Sequence, residues 1–183
     1  MERRMMTARR IAVVAGSAVL MYLMAGCQVA TNSTGPQQNG QTGTVTRVID
    51  GDTVDVSISG RAERVRLVGL NAPEISHDGH RADCHGDASA AHARAQLAGH
   101  VVTVEADPGQ PEMDAYGRRL AYLQLDGRDV GAELIHEGAA VVYTYDRAHP
   151  FNRRDAYQRA QDDARTHGRG VWSASTCAGD FDR

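Results

Sequence analysis

Between Thr44 and Leu70 the chain alternates β-branched stretches with turn-forming pairs. Thr44 to Ile49 is extended in pattern, Asp50-Gly51-Asp52 turns the chain, and Thr53 to Ile58 follows. Ser59-Gly60 marks a second turn, and Arg64 to Leu70 alternates again, with Val65, Leu67 and Val68 available for packing. Stretches this short and this closely punctuated leave no room for helices. They predict consecutive antiparallel hairpins. Pro73 forbids a central strand beyond that point.

The rest of the pattern adds helices to this meander. Asp87 to Leu97 is alanine-rich with Gly99 suited to its C-terminal cap, Val101 to Glu105 and Arg119 to Leu125 read as two further strands, and Asp126-Gly127 turns the chain. Val130 to Glu137 has helical spacing, Ala139 to Tyr143 is extended, and Asn152 with Asp155 has the form of a capping pair opening a helix to His167. Five short strands with a helix between the third and fourth predict an α+β, mainly β domain. The expected architecture is a five-stranded, partly open barrel of the OB type with about three helices at its sides.

Arg3, Arg4, Arg9 and Arg10 precede the apolar run Ile11 to Ala25, which reads as an export signal. The run is shorter than the ~20 residues that span a bilayer as a helix. Leu23-Met24-Ala25-Gly26-Cys27 resembles the processing box of bacterial lipoproteins, with Met24 where a smaller aliphatic residue is usual. That resemblance implies a lipid-modified Cys27 and attachment to the outer face of the cell membrane. The alternative is a plain secreted protein with Cys27 unmodified. Gln28 to Gly43 is uncharged and polar, a flexible tether in composition. The expected organisation is a signal over 1–26, a tether over 27–43, one domain over 44–177 and a tail over 178–183.

The chain has no lysine and a formal charge of −3. Removing residues 1–26 takes away four arginines and one glutamate and leaves 16 Arg against 22 acidic residues, a charge of −6. This weighs against tight nonspecific nucleic-acid binding through a broad basic surface, so any phosphate site must be local. With Cys27 set aside, Cys84 and Cys177 remain as a pair in an oxidising compartment, where a disulfide is the default. The competing reading is a zinc site of Cys84 with His77, His80 and His85, whose spacing matches no standard zinc pattern.

Three stretches carry chemistry: Asp50-Gly51-Asp52-Thr53-Val54, Arg66 through Glu74, and Asp114-Ala115-Tyr116-Gly117-Arg118. Hard oxygen ligands suit Ca²⁺ or Mg²⁺ and guanidinium forks suit phosphate, so the set points to metal-assisted chemistry at a phosphodiester. Together, and in this order, they resemble the staphylococcal nuclease family, the thermonucleases, over roughly Thr44 to Trp172. The resemblance implies one Ca²⁺ held by Asp52, by Asn71 where a second carboxylate is usual, and by the carbonyl of Ala72, with Asp50 close by. It implies Glu74 as general base or water organiser, and Arg66 and Arg118 as the phosphate-gripping pair. It also implies Asp114, Tyr116, Tyr143 and Tyr145 around the nucleotide pocket, and a monomer that cleaves DNA and RNA to 3′-phosphates, single strands fitting more easily.

Two departures stand out. Asn71 contributes an oxygen but no formal charge, so weaker calcium binding is expected. Ala115 stands where a basic residue is common, and the lysines usual around the pocket are missing. Other function classes remain open at this point: an OB-type binding module whose catalysis has decayed, or a metal-binding surface lipoprotein using the His and Cys loop. Trp172 is expected as a core plug near the C-terminus.

Overall fold

The computed structural model describes residues 40–77 and 79–180. The export signal, Cys27, the tether up to residue 39 and the last three residues of the tail lie outside the described residues.

Strand β1 (Gln41–Val48) pairs antiparallel with β2 (Thr53–Ile58), which pairs antiparallel with β3 (Arg61–Leu67). Strand β4 (Leu70–Asn71) is a short stub, and helix α1 (Gly86–Leu97) leads into β5 (Val101–Glu105) on the far edge of β1. Next, β6 (Arg119–Leu125) runs antiparallel to β5 and, through Val65↔Arg119 to Leu67↔Ala121, parallel to β3. That last ladder closes the sheet into a five-stranded barrel. A bulge in β1 between Val45 and Arg47 supplies extra local twist. Its first strand begins at Gln41, three residues before the expected Thr44, because Gln41 to Gly43 pair with Val104 to Val102.

The alternation read from the sequence points inward. Val45, Val54, Val56, Val65, Val102, Val104 and Leu123 are fully buried inside the barrel, and burying each such side chain contributes ~1.5–3 kcal/mol. Strand β3 stops at Leu67 rather than Leu70. Gly69 turns the chain at φ +85°, and a Cβ there would lie 2.4 Å from the Phe151 ring. Leu70 and Asn71 then join a separate two-stranded sheet with β8 (Val141–Val142).

The hairpin β6 to β7 (Arg128–Asp129) delivers helix α2 (Val130–His136), whose N-cap Asp129 accepts a hydrogen bond from the Ala132 N–H. Helix α3 (Arg154–Thr166) packs against α2 and buries Tyr157, Gln161 and Ala164. It does not use the expected Asn152 cap: the helix starts after Arg153 without a side-chain cap, and the Asn152 N–H, which Asp155 would take in a capping box, donates to Asp107 Oδ2 at 2.7 Å. Trp172, in the short 3-10 turn Gly170–Trp172, is half-buried under the Arg165 guanidinium at 4.1 Å rather than plugging the core. A disulfide joins Cys84 to Cys177, Cα atoms 5.7 Å apart. With its sulfur so bonded, Cys84 supplies no thiolate for the competing zinc site. Among the described residues no three His, Cys, Asp or Glu side chains form a ready-made metal cage.

Candidate active site

The turn Asp50–Asp52 links β1 to β2, and its geometry is internally fixed. Asp50 Oδ1 accepts the Asp52 N–H at 2.9 Å, and the Asp52 carbonyl accepts from Leu67 N–H at 2.9 Å, which sets the turn against the end of β3. The Asp52 carboxylate, 4% exposed, accepts from the Ala72 N–H at 2.7 Å and from Thr53 Oγ1 at 3.0 Å. It pairs with Arg66 Nη2 at 3.1 Å. Arg66 also donates to Asn71 Oδ1 at 3.0 Å and to the carbonyls of Leu67 and Leu70 at 3.1 and 3.0 Å. Asp50, Asp52, Arg66, Asn71 and Ala72, spread over 23 positions of sequence, therefore meet in one place.

Burial pushes the Asp52 carboxyl up to about 7; the Arg66 guanidinium works against that rise and Asp50 adds to it. Partial burial and then Asp50 likewise hold Glu74 above the usual carboxylate range, with Arg66 opposing. Three carboxylates thus crowd one guanidinium that divides its donors among four acceptors. The oxygen donors gathered here are of the type a hard divalent cation takes, although the Asn71 amide oxygen and both Asp52 oxygens already accept hydrogen bonds.

The sign of the resulting pH dependence follows from the raised value. A carboxyl that binds its proton more tightly when folded contributes stability fully present below its unfolded pKa of ~3.9 and lost as pH rises through about 7. In divalent-free buffer, urea unfolding from pH 5 to 8 is expected to show wild type losing stability relative to Asp52→Asn by a few kcal/mol. A constant difference across that range would place the Asp52 carboxyl at an ordinary pKa.

The second guanidinium comes from the turn before β6. Asp114 Oδ1 accepts the N–H groups of Tyr116 and Arg118, both at 2.9 Å, and Oδ2 accepts Arg118 Nε at 2.6 Å. Burial alone would raise the Asp114 pKa, but these bonds from Arg118 and Tyr116 bring it below the usual range. Both oxygens of Asp114 are thus engaged by the turn and by Arg118, while the residue also lines the pocket described next. Arg118 lies 5.3 Å from the centre of the Tyr116 ring. Among the described residues, its two Nη groups make no hydrogen bond.

Arg66 and Arg118 line the same pocket of about 260 Å³. Its other walls include Tyr116, Tyr143 and Tyr145, which are 84%, 49% and 88% exposed, with Met113 and Phe151. Tyr143 is set by its N–H bond to the Gly69 carbonyl at 3.0 Å. All four residues expected around a nucleotide reach this pocket. Asp50, Asp52, Asn71 and Glu74 are not among its lining residues; Asp52 and Asn71 are joined to it through Arg66.

Asp107 was missed by sequence reasoning. It is buried, and it takes the Tyr122 hydroxyl and the N–H groups of Gly109 and Asn152 at 2.8 and 2.7 Å. Gln110 adds a bond to the His149 carbonyl at 2.9 Å. These contacts tie the segment leading to Arg118 to the segment following Tyr145. Asp107-Pro108-Gly109 reads as an ordinary turn, and nothing local in sequence signals its partners.

A small closed barrel that brings Arg66 and Arg118 to one tyrosine-walled pocket, with Arg66 paired to a buried carboxylate outside it, has the make-up of a phosphodiester-hydrolysing nuclease of the OB-fold type. The family described as Staphylococcal nuclease homologue matches residues 64–174. An uncharacterised endonuclease of Escherichia coli O157:H7 is 36% identical over 132 residues, 72% of this chain and 76% of the relative. Thermonuclease of Staphylococcus hyicus is 31% identical over 135 residues, 74% and 78%, and endonuclease YncB of Bacillus subtilis strain 168 is 29% identical over 133, 72% and 62%. The chain belongs to the staphylococcal nuclease family. Arg66, Asn71, Glu74, Asp114 and Arg118 fall within the matched stretch; Asp50 and Asp52 precede it.

Proposed function

We propose that the protein is an exported, calcium-assisted nuclease that hydrolyses DNA and RNA, single strands preferentially, to 3′-phosphate products. The observation that carries this reading is the convergence of Arg66 and Arg118, 52 positions apart in sequence, on one pocket flanked by three exposed tyrosines. An open aromatic wall accepts an unstacked base of any identity, while duplex bases are held away from it. The paired guanidiniums offset the phosphate charge that repels an approaching hydroxide and stabilise the equatorial oxygens as charge builds.

Glu74 orients the attacking water and accepts its proton. Oxygen adds to phosphorus, the bond to the 5′ oxygen breaks in line, and the departing oxygen is protonated by solvent. Asp52, Asn71 and the Ala72 carbonyl, with Asp50 beside them, would hold calcium, which would supply positive charge at the phosphate being attacked. Because Asn71 is neutral and already accepts from Arg66, binding is weak and suited to the millimolar calcium of the cell exterior. The arginine-led apolar segment and Cys27 support export and a lipid anchor.

Cleavage of single-stranded DNA by the mature protein, titrated with calcium, tests the reading. Activity is expected to vanish with chelator and to fall by about 10²–10⁴-fold in Glu74→Gln, while Asn71→Asp shifts the calcium midpoint lower. Undiminished cleavage by Glu74→Gln would remove the general-base assignment. A stable DNA complex without cleavage would favour the binding module.

A further inference from the structure

We propose that Asp83, anchored by the Cys84–Cys177 disulfide, is the positioning residue for Glu74, fixing the main chain from which that carboxylate reaches the phosphodiester; this rests on the nuclease reading above. Glu74 follows Pro73 and belongs to no strand or helix, so no regular ladder holds it. Both of its main-chain polar groups are instead taken by one residue nine positions later. The Glu74 N–H donates to Asp83 Oδ2 at 2.9 Å, and the Asp83 N–H donates to the Glu74 carbonyl at 3.0 Å. Gly86 closes on the same carbonyl so tightly that a Cβ at position 86 would lie 2.1 Å from its oxygen.

The clasp is anchored on both sides. Gly86 opens α1, which is rooted by buried Ala90, Ala93 and Leu97. Cys84, the residue after Asp83, is bonded across 93 positions to fully buried Cys177. The turn that holds Cys177 is itself fixed, with Asp180 N–H on the Cys177 carbonyl at 2.9 Å and Gly179 N–H on the Val171 carbonyl at 2.8 Å. Exposed hydrogen bonds such as those of Asp83 compete with water and hold a backbone poorly alone. The disulfide supplies what they lack, a covalent limit on how far Asp83 can move from the barrel.

Steady-state cleavage of single-stranded DNA by wild type, Asp83→Ala, Asp83→Asn and the double variant Cys84→Ser/Cys177→Ser tests this, alongside hydrogen exchange of the peptide carrying the Glu74 amide. Asp83→Ala and the cysteine double variant are expected to lower kcat by about 10- to 100-fold, with KM changed by less than about twofold because the tyrosine pocket is untouched. Exchange at Glu74 should accelerate in both. Asp83→Asn, which keeps an acceptor oxygen, should retain most of the wild-type kcat. Wild-type kcat and exchange in Asp83→Ala, or equal loss in Asp83→Asn and Asp83→Ala, would overturn the clasp. Since Asp83→Ala keeps the disulfide, it carries the test even where the cysteine variant fails to fold. Active wild type with insensitive variants removes the clasp alone; wild type that cleaves no nucleic acid removes the nuclease reading with it.

Discussion

Arg118→Ala is expected to lower kcat on single-stranded DNA by about 10²–10³-fold while leaving the unfolding midpoint nearly unchanged. The size follows from what the side chain does in the folded protein. Its Nε is tied to Asp114, its Nη groups make no hydrogen bond among the described residues, and its plane is steered by the Tyr116 ring. Such a preset donor needs no reorganisation when charge develops on phosphate, so its loss falls on the transition state. Arg66→Ala gives a contrasting outcome. Arg66 is also the counter-ion of buried Asp52 and a donor to Asn71 and two carbonyls, so its removal costs stability as well as rate. Arg118→Lys is expected to recover little, since an ammonium cannot offer two parallel bonds while held at one nitrogen. Wild-type kcat in Arg118→Ala would place the phosphate elsewhere.

Asp107→Ala is expected to destabilise the fold by about 3–5 kcal/mol in urea unfolding. Three donors converge on this buried carboxylate, and alanine leaves the Tyr122 hydroxyl and the N–H groups of Gly109 and Asn152 without their partner. The damage spreads because Arg153 is packed 3.9 Å over the Tyr122 ring while bonded to Asp129 at 2.7 Å and Glu105 at 2.6 Å. Asp107→Asn should recover only part, as an amide offers one acceptor oxygen where the carboxylate uses two. A loss below about 1 kcal/mol would mean that water satisfies these donors without cost.

The strands and three helices were legible because their physics is local: β-branched alternation, glycine stops and alanine-rich runs act within a few residues. That Arg66 and Arg118 would belong to one site was legible only from the motifs in combination, since either arginine alone reads as an ordinary charge. The partners of these side chains were not. That Arg66 would lie on both Asp52 and Asn71, or that Asp114 would spend both oxygens on its own turn, depends on where β3 and β6 stop. The early start of β1 at Gln41 was hidden for a similar reason, because an uncharged Gln-Thr-Gly stretch becomes a strand only when Val102 to Val104 lie beside it. Asn152 illustrates the reverse: the helix starts after Arg153, and a distant buried carboxylate takes the N–H that the capping pair would have shared with Asp155.

The parallel seam between β3 and β6 joins residues more than fifty positions apart, and Arg66 and the residue after Arg118 belong to its two sides. A ladder between residues so far apart pays a loop-closure entropy that the local hairpins do not. The guanidinium pair therefore exists only in the completed native molecule, and a partly folded chain holds two unrelated arginines. On the proposed reading, phosphate recognition is an all-or-none reporter of the finished fold, and appearance of the pocket during refolding should track closure of the seam rather than formation of the first hairpins.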